Sequence, residues 1–220
     1  MNYEKIKNDI NIINLYQDIK QAEDKEKGYA YHDYNHVINV SQLIEKILKA
    51  LNYDENYIDD AMVAALLHDT GCLKGKQNHA HRSYIYAKKY IEENNIKLSN
   101  KELVLEAIKD HSNSFDTDNI MTLALILSDK LDVKYTRVGN IGKTLIGMRQ
   151  FLNIEDVLVD IKKDTLIVNF KANKKLNLEE IEEYYFTNKI FKGIVAFSQK
   201  MNLNYNVTLN NELWNYNIRW

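Results

Sequence analysis

Residues 61–71 read AMVAALLHDTG, an unbroken apolar run that ends in His68 and Asp69. Every side chain from Ala61 to Leu67 is apolar, so the run predicts a helix packed inside the protein. An imidazole and a carboxylate at the end of such a helix cost free energy unless each finds a partner. A helix end can supply partners, with His68 near the last carbonyls and Asp69 forming a turn. That reading suffices for one His-Asp pair. It does not explain where the other histidines fall.

All six histidines lie between residues 32 and 111. His36 aligns with Val40, Leu43 and Ile47 on the inward stripe of its helix. His111 shares a face with Val104, Ala107 and Ile108, and Asp129 follows Leu125 and Ile126 by one turn of another apolar helix. Four helices thus each present an imidazole or a carboxylate from the buried side. Shared coordination of a metal ion removes the desolvation cost for all of them, and helix-bundle cores commonly house such sites. The set His36, His68, Asp69, His79, His111 and Asp129 therefore points to a metal centre.

The bulk numbers agree with a soluble globular chain: 220 residues, 45% hydrophobic, 27% charged. A net charge of −2 gives no support for bulk binding to nucleic acid or anionic membrane. No apolar stretch reaches membrane-spanning length, and MNYEKIKNDI does not read as a signal peptide. The single cysteine, Cys72, cannot form an intramolecular disulfide. A cytoplasmic location is the expectation. Seven glycines and no proline favour long helices.

Periodicity predicts helices through residues 1–135. Ile6, Ile10, Ile13 and Ile19 mark the first, and Val37, Val40, Ile44, Ile47 and Leu51 the second. The third ends at His68, HRSYIYAKKYIEEN gives a fourth, the fifth ends at His111, and NIMTLALILSDKLDV gives a sixth. Beyond residue 152, DVLVDIKKDTLIVNF reads as two strands, followed by one helix through Ile181, Phe186, Ile190, Ile194 and Phe197. NYNVTLN can form a further strand. The expectation is a mainly α fold: a helical unit over residues 1–150 and a small α+β addition over 151–220.

The pieces YHDYNHVINV, ALLHDTG, NHAHRSYIYA, IKDHSN and LSDKLD, in that order, resemble the HD-domain superfamily of metal-dependent phosphohydrolases. The resemblance spans roughly residues 30–135 and implies a helical bundle with His36, His68, Asp69 and Asp129 as ligands of a first metal. The extra histidines resemble the dinuclear branch, in which Asp69 would bridge two ions and His79 and His111 would hold the second. His79 stands four residues before Ser83, matching the family's spacing. His81 is the alternative, and on a regular helix the two point to nearly opposite sides. The motif YHDYNH is similar to that of cyclic-nucleotide phosphodiesterases, whose first histidine protonates the leaving oxygen. His32 holds that place, with Asp33 where those enzymes carry Asn and where its carboxylate would favour a charged imidazole. The other reading of His32 is a hydrogen bond to a neighbouring group or a helix cap.

A mixed imidazole and carboxylate shell suits divalent Mn, Fe, Co, Ni or Zn, in one ion or two. Paired cations activate a water and offset phosphoryl charge. Many family members place a lysine three residues after the Asp of the His-Asp pair, where this chain has Cys72, and Lys74 is the expected substitute. Lys76, Lys130 and Arg137 are further cations near the motifs. The expected substrate is a small phosphorylated compound, with nucleotides among the candidates, and homo-oligomerisation is left open. Two other readings share the ligand set: an HD-type di-iron oxygenase and a non-catalytic nucleotide sensor. Guanosine tetraphosphate ranks low, because HDTGCLKGK lacks the acidic residues that its hydrolases carry there.

Overall fold

The isoleucine spacing predicts one N-terminal helix, but a computed structural model shows two, α1 (Asn2–Lys7) and α2 (Ile10–Lys25). Asp9 accepts the Asn11 amide at 2.9 Å and starts the second helix. Ile10, expected inside, is therefore an exposed first-turn residue, and the buried face is Ile12, Tyr16 and Ile19. The structure describes residues 1–25, 28–112 and 114–219.

Helix α3 (Tyr34–Ala50) begins where the Asp33 carboxylate accepts the His36 amide at 3.1 Å. It buries His36, Val37, Val40, Ile44 and Ile47 along one stripe. Helix α4 (Glu55–Leu67) is capped by Asp54 and buried at every position from Ile58 onward. Its two buried carboxylates bind free ends of neighbouring segments: Asp59 accepts the amides of Asn2 and Tyr3, and Asp60 that of Asn100. A 3₁₀ turn, Thr70–Lys74, leads from the His-Asp pair toward α5 (His79–Glu93). Helices α6 (Lys101–Asp110) and α7 (Ile120–Leu131) complete the histidine-bearing part.

The C-terminal part forms β1 (Ile154–Lys162), β2 (Thr165–Ala172), α8 (Leu178–Glu183), α9 (Tyr185–Lys200), β3 (Asn204–Leu209) and β4 (Glu212–Leu213). The sheet order is β1-β2-β3-β4, with β2 and β3 parallel and the outer pairs antiparallel. Helices α8 and α9 form the crossover that the parallel pair requires. Sequence periodicity predicts one helix where these two stand. The break is Tyr184, whose extended backbone packs its ring against Gly147. Gly147 has φ +80°, and a side chain there would strike Tyr184 within 2.6 Å. The fold is mainly α with a small four-stranded sheet among the described residues.

A side-chain carbon on Gly193 of α9 would lie 3.7 Å from Ile126 and 3.9 Å from Leu127 of α7, so the two helices pack closely there. Buried side chains run without interruption from Ile6 and Ile44 through Leu125 to Val168 and Phe197. The C-terminal elements thus pack on the helix that carries Asp129. No helix among the described residues is long and apolar enough to cross a membrane.

Candidate metal centre

Four helix ends and stripes meet at Asp69. On one side, Nε2 of His36 lies 3.4 Å from Asp69 Oδ2 and 3.2 Å from Asp129 Oδ1. Nε2 of His68 lies 3.1 Å from the same Asp69 oxygen and 3.8 Å from the same Asp129 oxygen. His36 Nε2, His68 Nε2 and Asp69 Oδ2 are buried and make no hydrogen bond. Leaving such atoms unsatisfied is costly. They converge on one point together with Asp129, and these four residues could hold an ion.

On the other side, Nε2 of His79 and of His111 lie 3.4 Å and 3.7 Å from Asp69 Oδ1. These two Nε2 atoms are 3.0 Å apart. Each ring gives its Nδ1 proton to a backbone carbonyl, His79 to Lys76 at 2.8 Å and His111 to Ile108 at 2.7 Å. A carbonyl only accepts, so in the neutral rings both Nε2 atoms carry lone pairs. Two lone pairs facing each other at 3.0 Å repel unless a cation lies between them. Burial lowers the pKa of His79 and pushes that of His111 well below the usual imidazole range, so a proton is a poor candidate for that cation. Ligand nitrogens about 2.1 Å from a shared metal would stand at this kind of separation. The donor set therefore fits a divalent transition metal on both sides of Asp69.

The other two rings are oriented in the same way. His68 donates from Nδ1 to the Ala65 carbonyl at 2.6 Å, and His36 pairs through Nδ1 with Asp132 at 2.7 Å. Such partners fix the tautomer and make the ligand more basic. Burial disfavours charge on His68, but Asp69 and Asp129 outweigh it and raise its pKa to about 9. Burial also opposes ionisation of Asp69 and Asp129. The histidines overcome it for Asp69, and Lys130 with the histidines for Asp129, so both stay well below the usual carboxylate range. Lys130 reaches Asp129 Oδ2 at 2.6 Å.

The local sequence explains how the rings are delivered. Gly71 donates its amide to Ser83 Oγ at 2.9 Å, and a side chain on Gly71 would lie 2.3 Å from the His79 carbonyl. This close approach sets the first turn of α5, and with it His79, against the His-Asp loop. Arg82 clasps that loop through the carbonyls of Gly71, Gln77 and Gly75. His81 also lines the cavity but stays outside the cluster, exposed and stacked on Tyr84 at 6.1 Å.

Two expected contacts are different in the structure. Asp33 does not face the His32 ring, because its carboxylate caps α3 and pairs with Lys20 at 3.0 Å. The partner of His32 Nδ1 is Glu23, which also accepts the His32 amide at 2.8 Å. Burial pushes both members toward neutrality, raising Glu23 to about 7 and driving His32 down. Lys74, the expected phosphate contact, lies exposed and outside the cavity at the cluster. Thr70, Gly71 and Cys72 take up the buried side of their 3₁₀ turn, which leaves Lys74 in solvent. Lys76, Lys130 and Arg137 line the cavity instead. Cys72 sits with Sγ 3.4 Å from Asp69 Oδ1.

Sequence reasoning missed Asp132 and Glu23. Asp132 left a signal, one turn after Asp129 in LSDKLDV. Glu23 left none, since it comes from a different helix. The HD-domain family model matches residues 33–136, the stretch that spans every ligand candidate named above. Residues 33–136 form an HD domain. No curated protein matches the chain. HD domains bind divalent metals and act in general as metal-dependent hydrolases. In this HD domain, Asp69 turns one carboxylate oxygen toward each pair of imidazoles.

Proposed function

We propose that this HD domain is a phosphohydrolase that holds two divalent transition-metal ions and cleaves a small phosphate ester. One observation carries the reading: Asp69 stands between two pairs of converging imidazole nitrogens, one pair without any hydrogen-bond partner and the other only 3.0 Å apart. His36, His68, Asp69 and Asp129 would hold one ion, and Asp69, His79 and His111 the other. When bound, the ions supply an activated water and offset phosphoryl charge.

The remaining roles belong to the chain. Lys76 and Lys130, on the cavity wall, attract the phosphate. Asp132 holds the His36 ring in place. His32 lines the same cavity and is hydrogen-bonded through Nδ1 to Glu23, which would return a proton to the ring after the ring protonates a leaving oxygen.

The test is elemental analysis of protein purified without added metal, followed by phosphate release from a panel of monoesters and diesters with Mn or Co. The expected result is close to two ions per chain and metal-dependent release. A single ion with His79 and His111 unliganded would reduce the proposal to a mononuclear site. O₂ uptake by the iron-loaded protein, without phosphate release on any ester, would replace it with oxygenase chemistry.

A further inference from the structure

The cavity beside the histidine–aspartate cluster measures about 770 Å³, within the range of small-molecule sites. One side of its wall comes from residues beyond 147, outside the matched HD domain, among them Phe151, Tyr184, Tyr185, Phe186 and Lys189. The rings form a linked group. Tyr184 meets Tyr185 at 4.8 Å and Phe151 at 6.0 Å, and Phe186 meets Phe151 at 6.2 Å, all edge to face. Phe151 belongs to the core, at 2% exposure, and anchors the group. Tyr185 is 60% exposed, and Tyr29, which lines the same cavity, is 53% exposed. Their open surface faces a concavity that also holds ammonium groups. The Lys189 nitrogen lies 5.7 Å from the centre of the Tyr185 ring, and burial together with Lys130 and Lys76 lowers its pKa. Three cations crowded into one region gain from an anion among them.

We propose that the segment after residue 147 is the specificity wall of the site, and that the substrate is a phosphate ester carrying a planar aromatic ring, of nucleoside-monophosphate size. The phosphate half of this inference rests on the phosphohydrolase reading. The ring half rests on Tyr185 and its neighbours alone. The aromatic group stacks on the open tyrosine face, and the phosphate reaches the metal cluster and its lysines.

The experiment separates the two halves by using ligands that cannot be hydrolysed. The metal-loaded full-length protein is titrated calorimetrically with the methylene-phosphonate analogues of AMP and of ribose 5-phosphate. The AMP analogue should bind about ten- to a hundredfold tighter, the usual value of one base-on-aromatic stack. Tyr185→Ala should erase most of that ratio without changing affinity for the ribose analogue, and Tyr185→Trp should restore it. Tyr185 opens α9 at an exposed position, so these variants disturb little of the core. Equal affinity for the two analogues would overturn the inference, as would a Tyr185→Ala loss shared equally by both. If the AMP preference holds while no ester is hydrolysed, the phosphohydrolase reading fails and the aromatic wall stands.

Discussion

The wall that residues 22–137 give the cavity, with the histidine cluster against it, and the wall contributed after residue 147 are held in place by different forces. In the first, each of the four converging histidines is fixed at Nδ1 by a carbonyl or a carboxylate and aimed at a common point. Such groups have one arrangement, because a misplaced buried imidazole or carboxylate loses its partners. In the second, rings rest on rings, and Tyr185 keeps most of its surface in solvent. Contacts of that kind tolerate exchange of one side chain for another of similar shape. The difference assigns reaction type to the first wall and choice of substrate to the second. Substitutions should therefore hurt in that order.

The largest effect belongs to Asp69, the residue shared by both halves of the cluster. Asp69→Ala is expected to abolish phosphate release and to lower metal content on both sides. His111→Ala should lower it mainly on one. Elemental analysis of the two variants beside the parent decides this. Equal metal content and activity in Asp69→Ala and the parent would break the first wall's claim to the chemistry.

Next comes His32, in the first wall but not among the converging ligands. General-acid help matters most when the leaving group is a poor one. His32→Ala should cut hydrolysis of an alkyl or nucleoside ester by about two to four orders of magnitude. Release from an aryl phosphate, whose leaving group needs little protonation, should stay near the parent rate. Equal losses on both esters would mean that the His32–Glu23 pair only shapes the site.

The two walls also differed in how far the sequence revealed them. An imidazole on an apolar helical stripe conflicts with its surroundings, and that conflict is visible in a single chain. The convergence of His36, His68, His111 and Asp129 could be read for this reason, and so could the helices that carry them, whereas His79 was read from its spacing to Ser83. Glu23 could not, since an acidic residue on a mostly exposed helix looks like any solvated charge until the fold brings it to His32. Lys74 and Lys76 are two residues apart and both exposed, and only the exit of the 3₁₀ turn sets Lys76 on the cavity wall and Lys74 off it. The breaks at Asp9 and Tyr184 come from side-chain and backbone contacts that leave the apolar period intact on both sides, so periodicity runs through them. Strand β4 has two residues, too few for any pattern. The aromatic wall carried no motif because its rings come from separate segments, the 3₁₀ turn Met148–Asn153 and the start of α9.

The smallest expected effect tests how that second wall is fastened. Arg149 meets Glu180 through two parallel contacts of 2.7 Å, and the Gly147 amide donates to the same carboxylate at 2.8 Å. Together they tie the Met148–Asn153 turn, with Met148 and Phe151 on the cavity wall, to α8. Arg149, with the Gly147 amide second, lowers the Glu180 pKa from 4.5 to about 2. A carboxylate whose pKa is lower in the folded state stabilises the fold above its unfolded value. That contribution is complete above about pH 4.5 and fades as pH falls toward 2. Arg149 is half exposed, so solvent screens the pair and keeps its contribution small. Glu180→Gln should therefore lower stability in urea slightly at pH 7, and the gap from the parent should narrow at pH 3. Affinity for the aromatic phosphonate should fall by no more than a few fold, because ring packing still holds Phe151 in place. A gap that stayed constant between pH 7 and pH 3 would show that the Glu180 charge does not fasten the wall, leaving that work to Gly147 and Tyr184.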